Sequence, residues 1–304
     1  MDLLVTHIDL DGISPIILLH LTERKFAYHA IEINEVEKTF EELFKTDLTQ
    51  YEHLYIVDLT LSESVYEKLA TLPIPVFVFD HHATHLFATK YPFATIHVEM
   101  SGRLTCGTEL FYLYLKKKYP QLKADSIAQY VDIVRQLDTY TFEDKQLALN
   151  VDMIRSMLGR DDFIKSIVKR LKKNEKEFTL TAFEKRMTKL QEKEKERYLE
   201  RKEKNMKKYR IKEKPCGVVF AEKYKSELGD YLSHKYPELD FIIIFDASKS
   251  ISYRAYKDDT DVAAFAELFE GGGHRLASGS PISDEFRENI LKAYYDDVVL
   301  LENK

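Results

Sequence analysis

The chain has 304 residues, 44% of them hydrophobic, a formal net charge of -6 and two cysteines, Cys106 and Cys216. That length suffices for two domains with sizeable cores, the acidic balance excludes a surface built to coat long nucleic acid, and two cysteines without CxxC spacing exclude a disulfide framework or a thiolate zinc site. The longest apolar runs, such as FIIIF at 241–245, are too short to cross a bilayer, and the opening MDLLVTHIDLDG has acids where a signal peptide has basic residues, so the expectation is a cytoplasmic protein.

From residue 1 to about 145 apolar strand patterns alternate with helical ones. Strands are expected over 3–6, 27–33, 54–57, 76–79 and 94–98, with helices over 16–24, 36–44 and 62–72 between them. Two further helices, 106–118 and 125–137, close this region. Such alternation predicts βαβ units and a mostly parallel, Rossmann-like sheet with helices on both faces.

Each of three strands runs into acids or imidazoles. LLVT is followed by His7, Asp9, Asp11 and Gly12, LYIV by Asp58, and VFVF by Asp80, His81 and His82. The carboxyl edge of such a sheet is where ligands bind. In an extended segment His7, Asp9 and Asp11 project to one side, a comb from which Gly12 lets the chain turn away. Acids so crowded repel one another unless cations neutralise them, and mixed oxygen and imidazole ligands suit manganese, iron or zinc better than magnesium or calcium. Taken singly, each element has a plainer reading: HxDxDG as a turn with solvated acids, Asp58 as a helix N-cap, the two histidines as a surface pair. Their joint occurrence at three strand ends favours a pair of divalent ions that clamps a phosphoryl group and activates water.

Over 184–214 the sequence carries fourteen Lys and Arg against seven Glu and no Gly, with Phe183, Met187, Leu190 and Tyr198 at helical spacing. It is expected to be a long solvated helix joining two domains, with guidance of an oligonucleotide by Lys202, Lys204, Lys207 and Lys208 as the functional alternative. After Pro215 a smaller α/β domain is predicted, with strands at 217–221, 241–245 and 250–256 and helices at 223–235 and 261–269 leading to Gly271, Gly272, Gly273 and His274. The domain plan is therefore 1–145, a helical charged linker over 146–214, and 215–304.

HIDLDG, Asp58, DHH at 80–82 and Asp138 in RQLDTYTF together resemble the four motifs of the DHH phosphoesterases, and GGGHRLASG at 271–279 is similar to the signature of the DHH-associated domain of nanoRNases and RecJ-type exonucleases. The resemblance implies one metal on His7, Asp9 and Asp58 and a second on Asp11, Asp58, His81 and Asp138, usually manganese, with activated water as nucleophile. It makes His82 a phosphate contact and Asp80 the support that orients the His81 imidazole. Asp138 is preferred to Asp132, which falls in mid-helix. In the second domain it implies a clamp in which Arg254 and His274, aided by the three glycines, Ser252 and Ser278, hold a phosphate or nucleotide, Arg254 through its paired donors.

The expected activity is a two-metal phosphodiesterase that hydrolyses short oligoribonucleotides to mononucleotides, the clamp favouring short substrates. Alternatives are an adenosine bisphosphate phosphatase, a cyclic dinucleotide phosphodiesterase, or a catalytically idle nucleotide-binding regulator. Partners are short RNA or small phosphorylated nucleotides, not membranes, and the sequence leaves a homodimer open.

Overall fold

Short runs of apolar, β-branched and aromatic residues form the strands, and the longer amphipathic stretches between them form the helices that cover both faces. The computed structural model describes residues 1–248, 250–257 and 259–293. The chain divides into two compact units, Met1–Thr188 and Lys189–Lys304.

In the first unit the elements run β1 (Asp2–His7), α1 (Leu10–Thr22), β2 (Phe26–Ile31), α2 (Val36–Leu43), β3 (Leu54–Val57), α3 (Glu63–Leu69), β4 (Val76–Asp80), β5 (Ala94–Ile96), a small hairpin of β6 (Glu99–Met100) and β7 (Arg103–Leu104), then α4 (Gly107–Lys118), α5 (Asp125–Asp138), α6 (Lys145–Leu158) and α7 (Arg160–Lys173). The main sheet has the order β2-β1-β3-β4-β5 and every pair in it is parallel. One face is covered by α1, α4, α5, α6 and α7 around Ile13, Ile17, Phe111, Tyr130 and Phe163. The other is covered by α2 and α3 around Phe40, Val65, Tyr66 and Leu69.

Helix α1 begins at Leu10, well before the expected residue 16, and contains Pro15. Pro15 has no N–H to give to the carbonyl of Asp11 one turn back. The Thr108 hydroxyl donates to that carbonyl instead, at 2.5 Å. The proline thus leaves an acceptor open where the start of α4 docks.

The second unit contains the later part of α8 (Ala182–Asn205), followed by β8 (Lys207–Ile211), β9 (Lys214–Phe220), α9 (Lys225–Lys235), β10 (Phe241–Asp246), β11 (Ser250–Arg254), α10 (Val262–Glu267), β12 (Gly272–His274), β13 (Ala277–Pro281) and α11 (Asp284–Lys292). Its sheet has the order β12-β13-β11-β10-β9-β8, with only β9 and β10 parallel. Tyr198, Leu228, Leu232 and Ile244 pack on one face, and Phe241, Tyr253, Val262 and Phe265 on the other.

The stretch expected as a linker is used differently. Val151, Ile154, Phe163, Ile164, Ile167 and Leu171 of α6 and α7 are buried in the same core as α1, so 146–173 is part of the first unit. At the other end, 207–211 is a strand rather than helix, turned into β9 through Lys212 and Glu213, both at positive φ. Of the lysines singled out there, Lys202 bonds the Phe220 carbonyl and Lys208 pairs with Glu238, so the basic stretch is not one free helical face. Among the described residues no helix is long and apolar enough to cross a membrane.

Candidate metal centre and substrate contacts

Sheet order reverses direction at β1 and β3, so the carboxyl ends of these strands flank a crevice not roofed by a crossover. His7 ends β1, Asp58 follows β3, and His81 follows β4. Asp9 and Asp11 reach the same place by a route other than the expected extended comb. Asp9 is the N-cap of α1, accepting from the Gly12 amide at 2.8 Å, and Asp11 lies in the first helical turn. Gly12 is required by packing, since a Cβ there would stand 2.2 Å from the His7 carbonyl oxygen.

Asp58 adopts the left-handed region at φ 55°, an unfavourable conformation for a non-glycine residue. Its N–H donates to the Phe79 carbonyl at 3.0 Å, which fixes it to the strand that carries the DHH triplet. It caps no helix; Ser62 occupies the N-cap of α3.

Two constellations result. His7 Nδ1 lies 3.0 Å from Asp9 and 3.7 Å from Asp58. His81 Nε2 lies 3.9 Å from Asp11, 3.5 Å from Asp58 and 3.4 Å from Asp138. Donor atoms of His7, Asp9 and Asp58, and those of Asp11, His81 and Asp138, each fall within 4.8 Å of one another. Asp58 Oδ2, His81 Nε2 and Asp138 Oδ2 are buried without a hydrogen-bond partner among the described residues. Buried polar atoms are seldom left so, and this all-acceptor set of carboxylates and imidazoles fits a divalent cation.

The electrostatics agree. Contact with Asp58 and then Asp9 raises His7 to about 10. Burial opposes the charge on His81, but Asp58, Asp11 and Asp138 outweigh it and raise the imidazole to about 9. Burial, then Asp58 and Asp138, pushes Asp11 well above the carboxylate range, and burial with Asp58 and Asp9 raises Asp138 to about 6 despite His81. Without cations the cluster holds protons to relieve its own repulsion.

Asp80 is fully buried and supports a different imidazole from the one expected. It accepts from His82 Nδ1 at 2.8 Å, and its other oxygen lies 2.6 Å from Nδ1 of His85. His81 is not among its partners. Burial opposes its ionisation, yet the two imidazoles hold its carboxyl far below the usual range. Contact with Asp80 in turn raises His82. Asp132 points elsewhere, into a network with Arg103, Arg135 and Gln136.

Sequence reasoning passed over the N-terminus of α4. The Gly107 and Thr108 amides donate to the two carboxylate oxygens of Asp11 at 2.7 and 2.8 Å, where the positive helix end favours an anion. A Cβ at Gly107 would come within 2.9 Å of the Asp58 Cβ. The signal was Pro15, whose missing N–H calls for a donor to Asp11. Also passed over was α6, which brings Asp152 and Arg155 to a pocket shared with Asp9, Asp11 and Asp138.

In the second unit Arg254 and His274 share a face, since both register with Ala277, as do Ser252 and Gly272 through Gly279. The Arg254 guanidinium donates to the Tyr253 and Ser278 carbonyls and to the Ser226 hydroxyl. Burial lowers its pKa, and among the described residues no carboxylate pairs with it. Gly229 makes room for it, because a Cβ there would meet its Cγ at 2.3 Å. Ser278 lies on the opposite face with its hydroxyl donating to the Val262 carbonyl, so it does not join Arg254. Gly272, Gly273 and His274 form a short edge strand rather than an open loop, with Gly271 just before it. Gly271 and Gly273 are small because they press on the β13 backbone, while Gly272 has open space beside it and His274 is exposed.

No family model matches the chain. It is 34% identical over 296 residues to oligoribonuclease NrnB of Bacillus subtilis, covering 94% of this chain and 74% of that protein. It is 24% identical to a 3',5'-cyclic-nucleotide phosphodiesterase of Helicobacter pylori, covering 94% of each. Among solved structures, the pGpG-specific phosphodiesterase PggH of Vibrio cholerae shares the fold at a TM-score of 0.57 and 16% identity, over 96% of this chain and 97% of that one. With the four motifs converging on one sheet edge and an oligoribonuclease of this kind matched along nearly the whole chain, the protein belongs to the DHH phosphoesterase family.

Proposed function

We propose that this protein hydrolyses phosphodiester bonds of short oligoribonucleotides, releasing mononucleotides. The observation that carries the reading is the 34% identity to an oligoribonuclease over 94% of the chain. Two divalent cations, manganese by the habit of the family, would be held by His7, Asp9 and Asp58 and by Asp11, Asp58, His81 and Asp138, and when bound would supply Lewis acidity and a water acidic enough to attack phosphorus.

The chain's own groups do the rest. His82, oriented by Asp80, whose contact also raises its pKa, contacts the phosphate. Arg254 presents a cation with no acidic partner among the described residues, and His274 with Ser252 and Gly272 on the same face completes a grip for a phosphate or nucleotide. We read Met1–Thr188 as the catalytic unit and Lys189–Lys304 as the substrate-binding one, acting on short RNA in the cytoplasm. A cyclic-nucleotide phosphodiesterase is the second reading, favoured by the Helicobacter pylori relative.

Incubation with manganese and, in separate reactions, a 5′-phosphorylated RNA dinucleotide, a longer RNA, adenosine bisphosphate, a cyclic dinucleotide and pyrophosphate tests the assignment. The dinucleotide is expected to be cut fastest, with all turnover abolished by chelator. If no ester is cut, the proposal is wrong; if the cyclic dinucleotide, or a 3',5'-cyclic mononucleotide in a further reaction, is preferred, the second reading replaces it.

A further inference from the structure

A pocket of about 250 Å³ beside the acidic cluster is lined by Asp9, Asp11 and Asp138 and, from α6, by Asp152 and Arg155. Arg155 Nε donates to Asp152 Oδ1 at 2.7 Å, one helical turn back. Among the described residues the two Nη atoms have no hydrogen-bond partner, and the side chain is 27% exposed. Its fork is therefore tethered at one corner and open at the other two.

Charge counting gives this geometry a use. Asp9, Asp11, Asp58 and Asp138, once ionised, would be balanced by two divalent cations, and Asp152 balances Arg155, so the loaded site would have no net charge left for a substrate and would have to meet it with directed donors. A phosphodiester brings one negative charge, and attack by hydroxide adds a second in the transition state. Arg155 is the cation on the wall of the pocket that holds three of those carboxylates. A guanidinium suits paired contact with two phosphate oxygens.

We propose that Arg155 is a catalytic residue, its Nη atoms contacting non-bridging oxygens of the scissile phosphate while Asp152 holds Nε in place. The proposal rests on the phosphodiesterase reading of the neighbouring cluster. The plainer role, a counter-charge that merely eases repulsion among the acids, makes opposite predictions. Removing a counter-charge tightens cation binding and leaves phosphate affinity alone, whereas removing a phosphate contact leaves cation binding near normal and weakens phosphate affinity.

The test uses the full chain as wild type, Arg155→Ala, Arg155→Lys and Asp152→Asn. Calorimetry measures manganese binding and then AMP binding at saturating manganese, and steady-state kinetics on an RNA dinucleotide gives kcat and KM separately. Arg155→Ala is expected to keep manganese stoichiometry and melting temperature, to bind AMP about 10- to 100-fold more weakly and to lose kcat/KM by a similar factor. Lysine should restore part of the AMP affinity, and Asp152→Asn should lose less than the alanine variant. AMP affinity equal to wild type in Arg155→Ala, or a loss of bound manganese, overturns the assignment. Weakened AMP binding in Arg155→Ala combined with a wild type that cuts no ester would preserve the phosphate contact and sink the phosphodiesterase reading instead.

Discussion

Asp80 sits without solvent between two imidazoles, and that placement decides what the DHH triplet does. One oxygen serves His82 and the other faces His85, whose Nε2 lies 2.9 Å from the Leu61 carbonyl. The first contact holds the His82 ring and raises its pKa, and the second fixes the carboxylate itself. Asp80→Asn is expected to lower the pKa of His82 toward the ordinary imidazole value and to cost about 3 kcal/mol of stability, since one partner of a buried pair is lost. The sign follows from its depressed carboxyl: the contribution is present above the unfolded carboxylate range and disappears only as pH falls toward the folded value. An NMR titration of His82 in metal-free protein, with thermal melts at pH 7, checks both effects; an unmoved His82 titration would rule the pairing out. At this scale the sequence was informative because the polar residues directly follow apolar strands, which fixes where they lie. It pointed to His81 rather than to His82 and His85 as the rings Asp80 holds, because His85 comes from a helical turn beyond the motif and nothing in its spacing marks it as buried.

Helix α1 was misjudged at its start for a physical reason. A proline normally marks a boundary, and the helix expected from residue 16 begins just after Pro15, while the structure keeps Pro15 inside and repairs the missing hydrogen bond with Thr108. That repair joins α4 to the residue whose carboxylate also receives the Gly107 and Thr108 amides. Thr108→Val should cost about 1–3 kcal/mol, the usual penalty for leaving a buried acceptor unsatisfied. Pro15→Ala supplies an N–H to the same carbonyl, so the double variant should be less damaged than the sum of the singles predicts. Denaturant unfolding of the four proteins measures this, and strict additivity would show that the two groups do not share the acceptor. The same limits explain the linker. α6 and α7 look polar and solvated in sequence, yet the apolar residues on one side of each complete the core against α1. The turn into β9 uses Lys212 and Glu213 at positive φ without a glycine or asparagine, so no hairpin signal was available.

On the scale of the molecule, ion binding and protonation are one equilibrium. His7 at about 10 and His81 at about 9 hold protons in the metal-free protein around neutral pH, Asp138 gives up most of its proton above about 6, and Asp11 is displaced upward as well. A divalent cation needs neutral imidazoles and ionised carboxylates, so its binding expels those protons and tightens as pH rises. The metal-free fold responds in the opposite sense through its histidines. Their raised values give stability that is complete below the unfolded imidazole pKa near 6.5 and is lost as pH climbs through about 9 for His81 and about 10 for His7. Raised carboxyls are also costly to ionise in the fold, but Asp138 loses its contribution lower, as pH rises from the unfolded carboxylate range to about 6, and Asp11 is displaced in the same direction. Chelation should therefore lower the melting temperature more at pH 8 than at pH 6. Calorimetric titration of manganese in two buffers of different ionisation enthalpy should show net release of protons at pH 7. If the observed heat is the same in both buffers, the cluster is already deprotonated without its ions. The repulsion among its acids would then have to be relieved by the chain itself, with Arg155 as the cation at hand in the pocket.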